Sequence, residues 1–110
     1  MKHEAVEMIL LFDYYGELLT EKQQTCFDLY YNQDLSLGEI AEEAGISRQG
    51  VHDSLARAEA ALLAMEEKTG CVARARRQAK ALQAIEQAAK SLPDTETARI
   101  ILAAVQDMKE

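Results

Sequence analysis

The 110-residue chain contains no tryptophan, a single proline, five glycines and two cysteines, and aromatic residues make up only 5% of it. Scarce proline and glycine leave little material for tight turns, which excludes a many-turned β-sandwich. Scarce aromatics mean that any core is aliphatic and finely packed. Cys26 and Cys71 form no CxxC pair and have no histidine at zinc-ligand spacing. Both thiols are therefore expected to be reduced and packed as small apolar groups. Long apolar runs are also missing. The run Met8 to Phe12, like the others, is far short of the ~20 residues of a membrane span. Glu4, Glu7 and Asp13 interrupt the opening stretch, which excludes a secretory signal, and a soluble cytoplasmic protein is expected. No triad, glycine-rich phosphate loop or carboxylate cluster stands out, so neither enzyme activity, nor a metal, nor a cofactor is expected. Of the two histidines, His3 reads as a solvated terminal residue and His52 as a surface residue of a helix.

Apolar residues make up 48% of the chain, enough to build a core for one domain or for a small domain with an appendage. Twelve bases against nineteen acids give a net charge of −7, which weighs against a generally basic nucleic-acid coat protein. The charge is unevenly placed. Residues 20–70 carry four bases (Lys22, Arg48, Arg57, Lys68) against ten acids, a net −6. Residues 71–90 carry Arg74, Arg76, Arg77, Lys80 and Lys90 against Glu86, a net +4. The chain is thus an acidic body with one basic segment.

The hydrophobic pattern is helical nearly throughout. A first helix over 4–15 carries Val6, Ile9, Leu10 and Phe12, with Gly16 a weak point after it. Thr20 with Gln23 forms a capping box for a second helix that ends near Asn32 and buries Cys26, Phe27, Leu29 and Tyr30. Ser36 with Glu39 forms another, opening a short helix that Gly45 ends through its tolerance of left-handed backbone. Ser47 caps a fourth helix that runs to Gly70. The pattern resumes from Val72 through Ala75, Ala79, Leu82, Ile85 and Ala89 to Leu92. Pro93-Asp94 breaks it before a last amphipathic helix with Ala98, Ile100, Ile101, Leu102, Val105 and Met108.

The stretch LSLGEIAEEAGISRQGV, Leu35 to Val51, has the spacing of a helix-turn-helix. Ile40 and Val51 are the apolar anchors of the two helices, and Ala41 is small enough to let them approach. Gly45 makes the turn, Ile46 plugs the angle and Ser47 caps the second helix. If that helix enters a major groove, Arg48, Gln49, His52 and Asp53 face the bases, and Arg57 can meet a phosphate. Arginine suits guanine and glutamine suits adenine, while Asp53 repels phosphate unless it accepts from cytosine. The acidic surroundings give equal standing to the alternative, a helix-turn-helix used for protein docking or architecture, because DNA affinity comes mainly from neutralised phosphates.

Three further features stay open on sequence. Arg74, Arg76, Arg77 and Lys80 share one side of a helix. They read either as a patch for RNA or an acidic partner, or as a solvated face that pairs with acids of the chain. Val51, Leu55, Ala58, Leu62 and Met65 recur at heptad spacing. This seam fits a dimer zipper or the core stripe of a monomer packed on the last two helices; a homodimer is expected for so small a chain. Tyr14, Tyr15, Tyr30 and Tyr31 read as packing residues with surface hydroxyls.

The blocks LFDYYGELLTEKQQ (Leu11 to Gln24), DLSLGEIA (Asp34 to Ala41) and SRQGVHD (Ser47 to Asp53) resemble the YlxM family over roughly residues 9–68. These are small bacterial helix-turn-helix proteins encoded beside the signal recognition particle GTPase. The helix-turn-helix is also similar to region 4 of sigma-70 factors. The resemblance implies an all-helical protein that associates through its C-terminal helices, binds DNA, and takes part in or regulates the signal recognition particle pathway. Gly50 and His52 stand where the family more usually has Ala and Tyr. A helical glycine costs ~1 kcal/mol against alanine, so fraying is expected there. The combined expectation is an all-α, sigma-70 region 4-like fold, with a helix-turn-helix domain over 1–70 and a helical extension over 71–110. Its expected partners are the particle's GTPase or RNA. The alternatives are a DNA-binding transcription regulator and a helical interaction module without nucleic acid.

Overall fold

The computed structural model describes residues 4–109; His3 lies outside them. Six α-helices follow one another: α1 (Ala5–Tyr15), α2 (Glu21–Phe27), α3 (Leu37–Ala44), α4 (Arg48–Thr69), α5 (Cys71–Lys90) and α6 (Glu96–Lys109). A 3-10 turn, Gly16–Leu18, joins α1 to α2, and a π-helical turn, Asp28–Asn32, extends α2. Among the described residues there is no strand, and no helix is long and apolar enough to cross a membrane. The helices fall into two compact units, the first reaching to Val72 and the second running from Ala73.

The first unit is built around α4, on which α1, α2 and α3 all pack. The heptad seam is its core stripe: Val51, Leu55, Ala58 and Leu62 are buried and Met65 half-buried. The seam is therefore covered within the first unit, by α1, α2 and α3. α1 presents Met8, Leu11 and Tyr15 to this core. Of the apolar residues expected to define that face, Ile9, Leu10 and Phe12 are half-buried and Val6 is exposed. Val6 stands about 200° round the helix from Met8, on the opposite side.

The end of α2 departs from the expected pattern. Cys26 and Phe27 are fully buried, but Tyr31 enters the core while Leu29 and Tyr30 stay half-buried. The Gln33 amide donates to the carbonyl of Asp28, five residues back, and such a turn takes more residues than an α-turn. The fifth residue after Cys26, Tyr31, thereby takes the buried face that the fourth, Tyr30, would hold in an α-helix. Tyr31 stacks on Phe27, which stacks on Phe12, each pair 4.4 Å between ring centroids.

The hydroxyls of Tyr15 and Tyr31 point inward, contrary to expectation. Tyr31 donates to Glu59 of α4. Tyr15 donates to Glu66 Oε1 at 2.6 Å and shares a hydrogen bond with Thr69 Oγ1 at 2.5 Å. The same Glu66 oxygen accepts the Val72 amide at 3.0 Å, and Thr69 Oγ1 accepts the Cys71 amide at 3.2 Å. The first turn of α5 thus finds its acceptors on the last turn of α4, across Gly70, whose φ of 64° is left-handed. Burial, together with the Glu66 carboxylate, pushes the Tyr15 hydroxyl above its ordinary 10.0.

In the second unit Leu82 and Ala89 of α5 and Ala98 and Val105 of α6 are buried. Ala79, Ile85, Leu92, Ile100 and Met108, expected on the apolar faces, are exposed. A unit of two helices covers only a narrow line on each. Lys109 reaches Glu86 at 2.6 Å, and Thr95 Oγ1 caps α6 by accepting the Ala98 amide.

Candidate nucleic-acid interface

The helix-turn-helix forms as its spacing predicts. Ser36 Oγ accepts the Glu39 amide at 3.1 Å, and Glu39 Oε1 accepts the Ser36 amide at 2.9 Å, closing the capping box of α3. The Ser36 amide, and after it the Ser36 hydroxyl, hold the Glu39 carboxyl below its ordinary value of 4.5. Gly45 ends α3 at φ 71°, its amide donating to Ala41. The Ile46 amide donates to the same carbonyl at 3.1 Å, which turns the chain toward α4. Ser47 Oγ accepts the Gly50 amide at 2.9 Å. α4 is continuous through Gly50, so the expected fraying is not found. A Cβ at position 50 would stand 3.2 Å from Ser47 Oγ, crowding the cap. Ile40 and Val51 are fully buried, as the anchors must be.

Arg48, Gln49 and His52 lie exposed on the first turns of α4. The Arg48 guanidinium lies over Gly38 of α3: a Cβ there would meet its Nη2 at 3.1 Å. Gln49 Nε2 donates to Asp53 Oδ1 at 3.0 Å, and His52 Nδ1 stands 3.7 Å from the same oxygen. The Asp53 carboxylate is therefore drawn along the helix surface by its own neighbours. Arg57 is also exposed, but it lines a different feature, a cavity of about 290 Å³ between α2 and α4 shared with Lys22 and Ser54. Sequence reasoning missed Lys22 and Ser54, because only the packing of α2 on α4 brings them to Arg57.

The remaining candidates belong to the second unit. Arg74, Arg76, Arg77 and Lys80 are all exposed on α5. Among the described residues none of the four has an ion-pair partner. The other cations of this unit do: Lys90 and Lys109 both meet Glu86, at 3.5 and 2.6 Å, and Arg99 meets Asp94 at 3.1 Å. Lys109, ahead of Lys90, holds the Glu86 carboxyl below its ordinary 4.5. Among the described residues no group of three His, Cys, Asp or Glu could hold a metal ion.

Two capped helices joined by a left-handed glycine, with buried anchors and an exposed second-helix face, define a helix-turn-helix protein. Comparison with known sequences places it further: residues 2–100 match the family UPF0122, described as "Putative helix-turn-helix protein, YlxM / p13 like", and the chain belongs to that family. It is similar to a UPF0122 protein of Desulforamulus reducens, 56% identical over 73 residues, covering 66% of this chain and 62% of the relative. A UPF0122 protein of Acetivibrio thermocellus is 47% identical over 106 residues, covering 96% of this chain and 86% of its own. One of Halalkalibacterium halodurans is 38% identical over 109 residues, covering 99% and 100%. The match thus spans somewhat under two thirds of the Desulforamulus protein and the whole of the Halalkalibacterium one.

Proposed function

We propose that this chain is a cytoplasmic helix-turn-helix regulator of the signal recognition particle pathway, and that it engages the particle's RNA through Arg74, Arg76, Arg77 and Lys80. The pathway comes from the YlxM resemblance and the mode of binding from charge. These four cations are exposed and, among the described residues, have no ion-pair partner, in a unit whose other bases have found carboxylates. Uncommitted cations on one helix face suit a phosphate backbone, because each contact releases a counterion. Self-association through α5 and α6 belongs to the same reading, supported by the exposed Ile85, Ile100 and Met108.

Salt-dependent binding tests it. If all four bases engage, log K against log salt falls with a slope of about −3, and the Arg74/Arg76/Arg77→Ala variant loses most of that slope. Equal binding by wild type and variant overturns the proposal. Binding to the GTPase without RNA leaves a protein-docking module instead. A second reading, duplex DNA read by α4, is supported by the exposed Arg48, Gln49 and His52. It requires that Arg48→Ala weaken duplex binding and relax its sequence preference.

A further inference from the structure

Every residue of α1 except Glu7 and Asp13 is apolar. A helix apolar all round is normally covered on more than one side. Here one side is covered: Met8, Leu11 and Tyr15 are buried in the core of the first unit. On the outer side Val6, Leu10 and Tyr14 follow one another at intervals of four residues. Each step turns about 40° round the helix, so the three form one ridge. Val6 is 69% exposed and Tyr14 49%, while Leu10 is half-buried. Exposed apolar residues gathered in a row, unlike scattered ones, mark a contact surface. Glu7 and Asp13, both exposed, stand about 20° beyond the two edges of the ridge, one on each side. Among the described residues neither has an ion-pair partner. From Glu4 to Glu21 the sequence holds acids and no base.

We propose that this face of α1 docks a basic amphipathic helix of a partner protein. The partner's apolar row packs against Val6, Leu10 and Tyr14, and its flanking Lys or Arg side chains meet Glu7 and Asp13. Ridges of residues four apart are what helices interlock through, and tyrosine is enriched among interface anchors. The acidic rim sets the charge of the occupant. It repels a phosphate backbone, and the ridge has no cation to neutralise one. Two-fold pairing of α1 on α1 of a second copy would set acids against acids. The surface belongs to the first unit and the bases of α5 to the second, so it does not rest on the RNA reading.

The test titrates the full chain into a labelled synthetic helical peptide of about 18 residues, with leucine along one face and lysine on both flanks. Parallel arms use the same peptide with glutamate in place of lysine, and a scrambled peptide of the same composition. Saturable binding of the lysine peptide alone is expected by fluorescence anisotropy. Val6→Gln/Tyr14→Gln weakens it about tenfold or more and melts like wild type, because both side chains are exposed. Glu7→Lys/Asp13→Lys rejects the lysine peptide and accepts the glutamate one, an inversion that general stickiness cannot produce. Arg74/Arg76/Arg77→Ala binds the lysine peptide like wild type, so failure here and failure of the RNA reading are told apart. Absent binding, equal binding of the scrambled peptide, or equal binding by Val6→Gln/Tyr14→Gln overturns the docking face. A lower melting temperature of Val6→Gln/Tyr14→Gln also overturns it, since the ridge would then be covered in the free protein. Loss of a dimer in that variant by sedimentation overturns it in favour of a second copy as the occupant.

Discussion

Tyr15 and Tyr31 show what a residue's neighbours in sequence leave out. Each stands beside a second tyrosine, and nothing local marks which of the pair turns inward. The choice is made by Glu59, Glu66 and Thr69, which lie on α4 and receive the two hydroxyls. For Tyr15 the bond also organises the first amides of α5 through Glu66 and Thr69. Tyr15→Phe is therefore expected to speed hydrogen exchange at Cys71 and Val72 while leaving the α3–α4 turn unaffected. Because the folded hydroxyl titrates above its ordinary 10.0, the folded state holds its proton more tightly than the unfolded one. The associated stability is complete below pH 10 and falls as pH rises above it. Tyr15→Phe flattens that alkaline fall in a denaturation series against pH. Lys22 and Ser54 were hidden for the same reason as the tyrosine partners: their neighbourhood is made by packing and not by spacing.

Helix ends, by contrast, were legible, because a capping box spans only four residues. Thr20 with Gln23, Ser36 with Glu39, Ser47 and Gly45 all do what their types predict. The π-turn after α2 was not legible, since the same residues fit an α-helix and only the bond from the Gln33 amide back to Asp28 marks the longer turn. Ser36→Ala and Ser47→Ala should each cost about 1 kcal/mol in chemical denaturation. Glu39 sets an acid limit. Its folded carboxyl titrates below 4.5, so its contribution is complete above that value and is lost as pH falls through the lower, folded one. Glu39→Gln keeps the capping box and removes this titration, and its acid denaturation curve should be correspondingly flatter.

Across the whole molecule, the segment charges read from sequence are distributed over two units. The acidic 20–70 segment lies in the first, with the motif, and the four exposed bases of α5 lie in the second. The heptad seam resolves in the same way. Its spacing fitted a zipper or a core, and its side chains are covered by α1, α2 and α3. Leu62→Ala, at a fully buried position, is expected to destabilise the first unit by about 2–5 kcal/mol. Leu63→Ala, 40% exposed, should stay within about 0.5 kcal/mol of wild type. A stripe satisfied within one chain also frees folding from mass action. A zipper would melt at lower temperature on dilution, whereas the first unit should unfold at the same temperature over about a hundredfold range of concentration. Any concentration dependence that remains would then report on α5 and α6 alone.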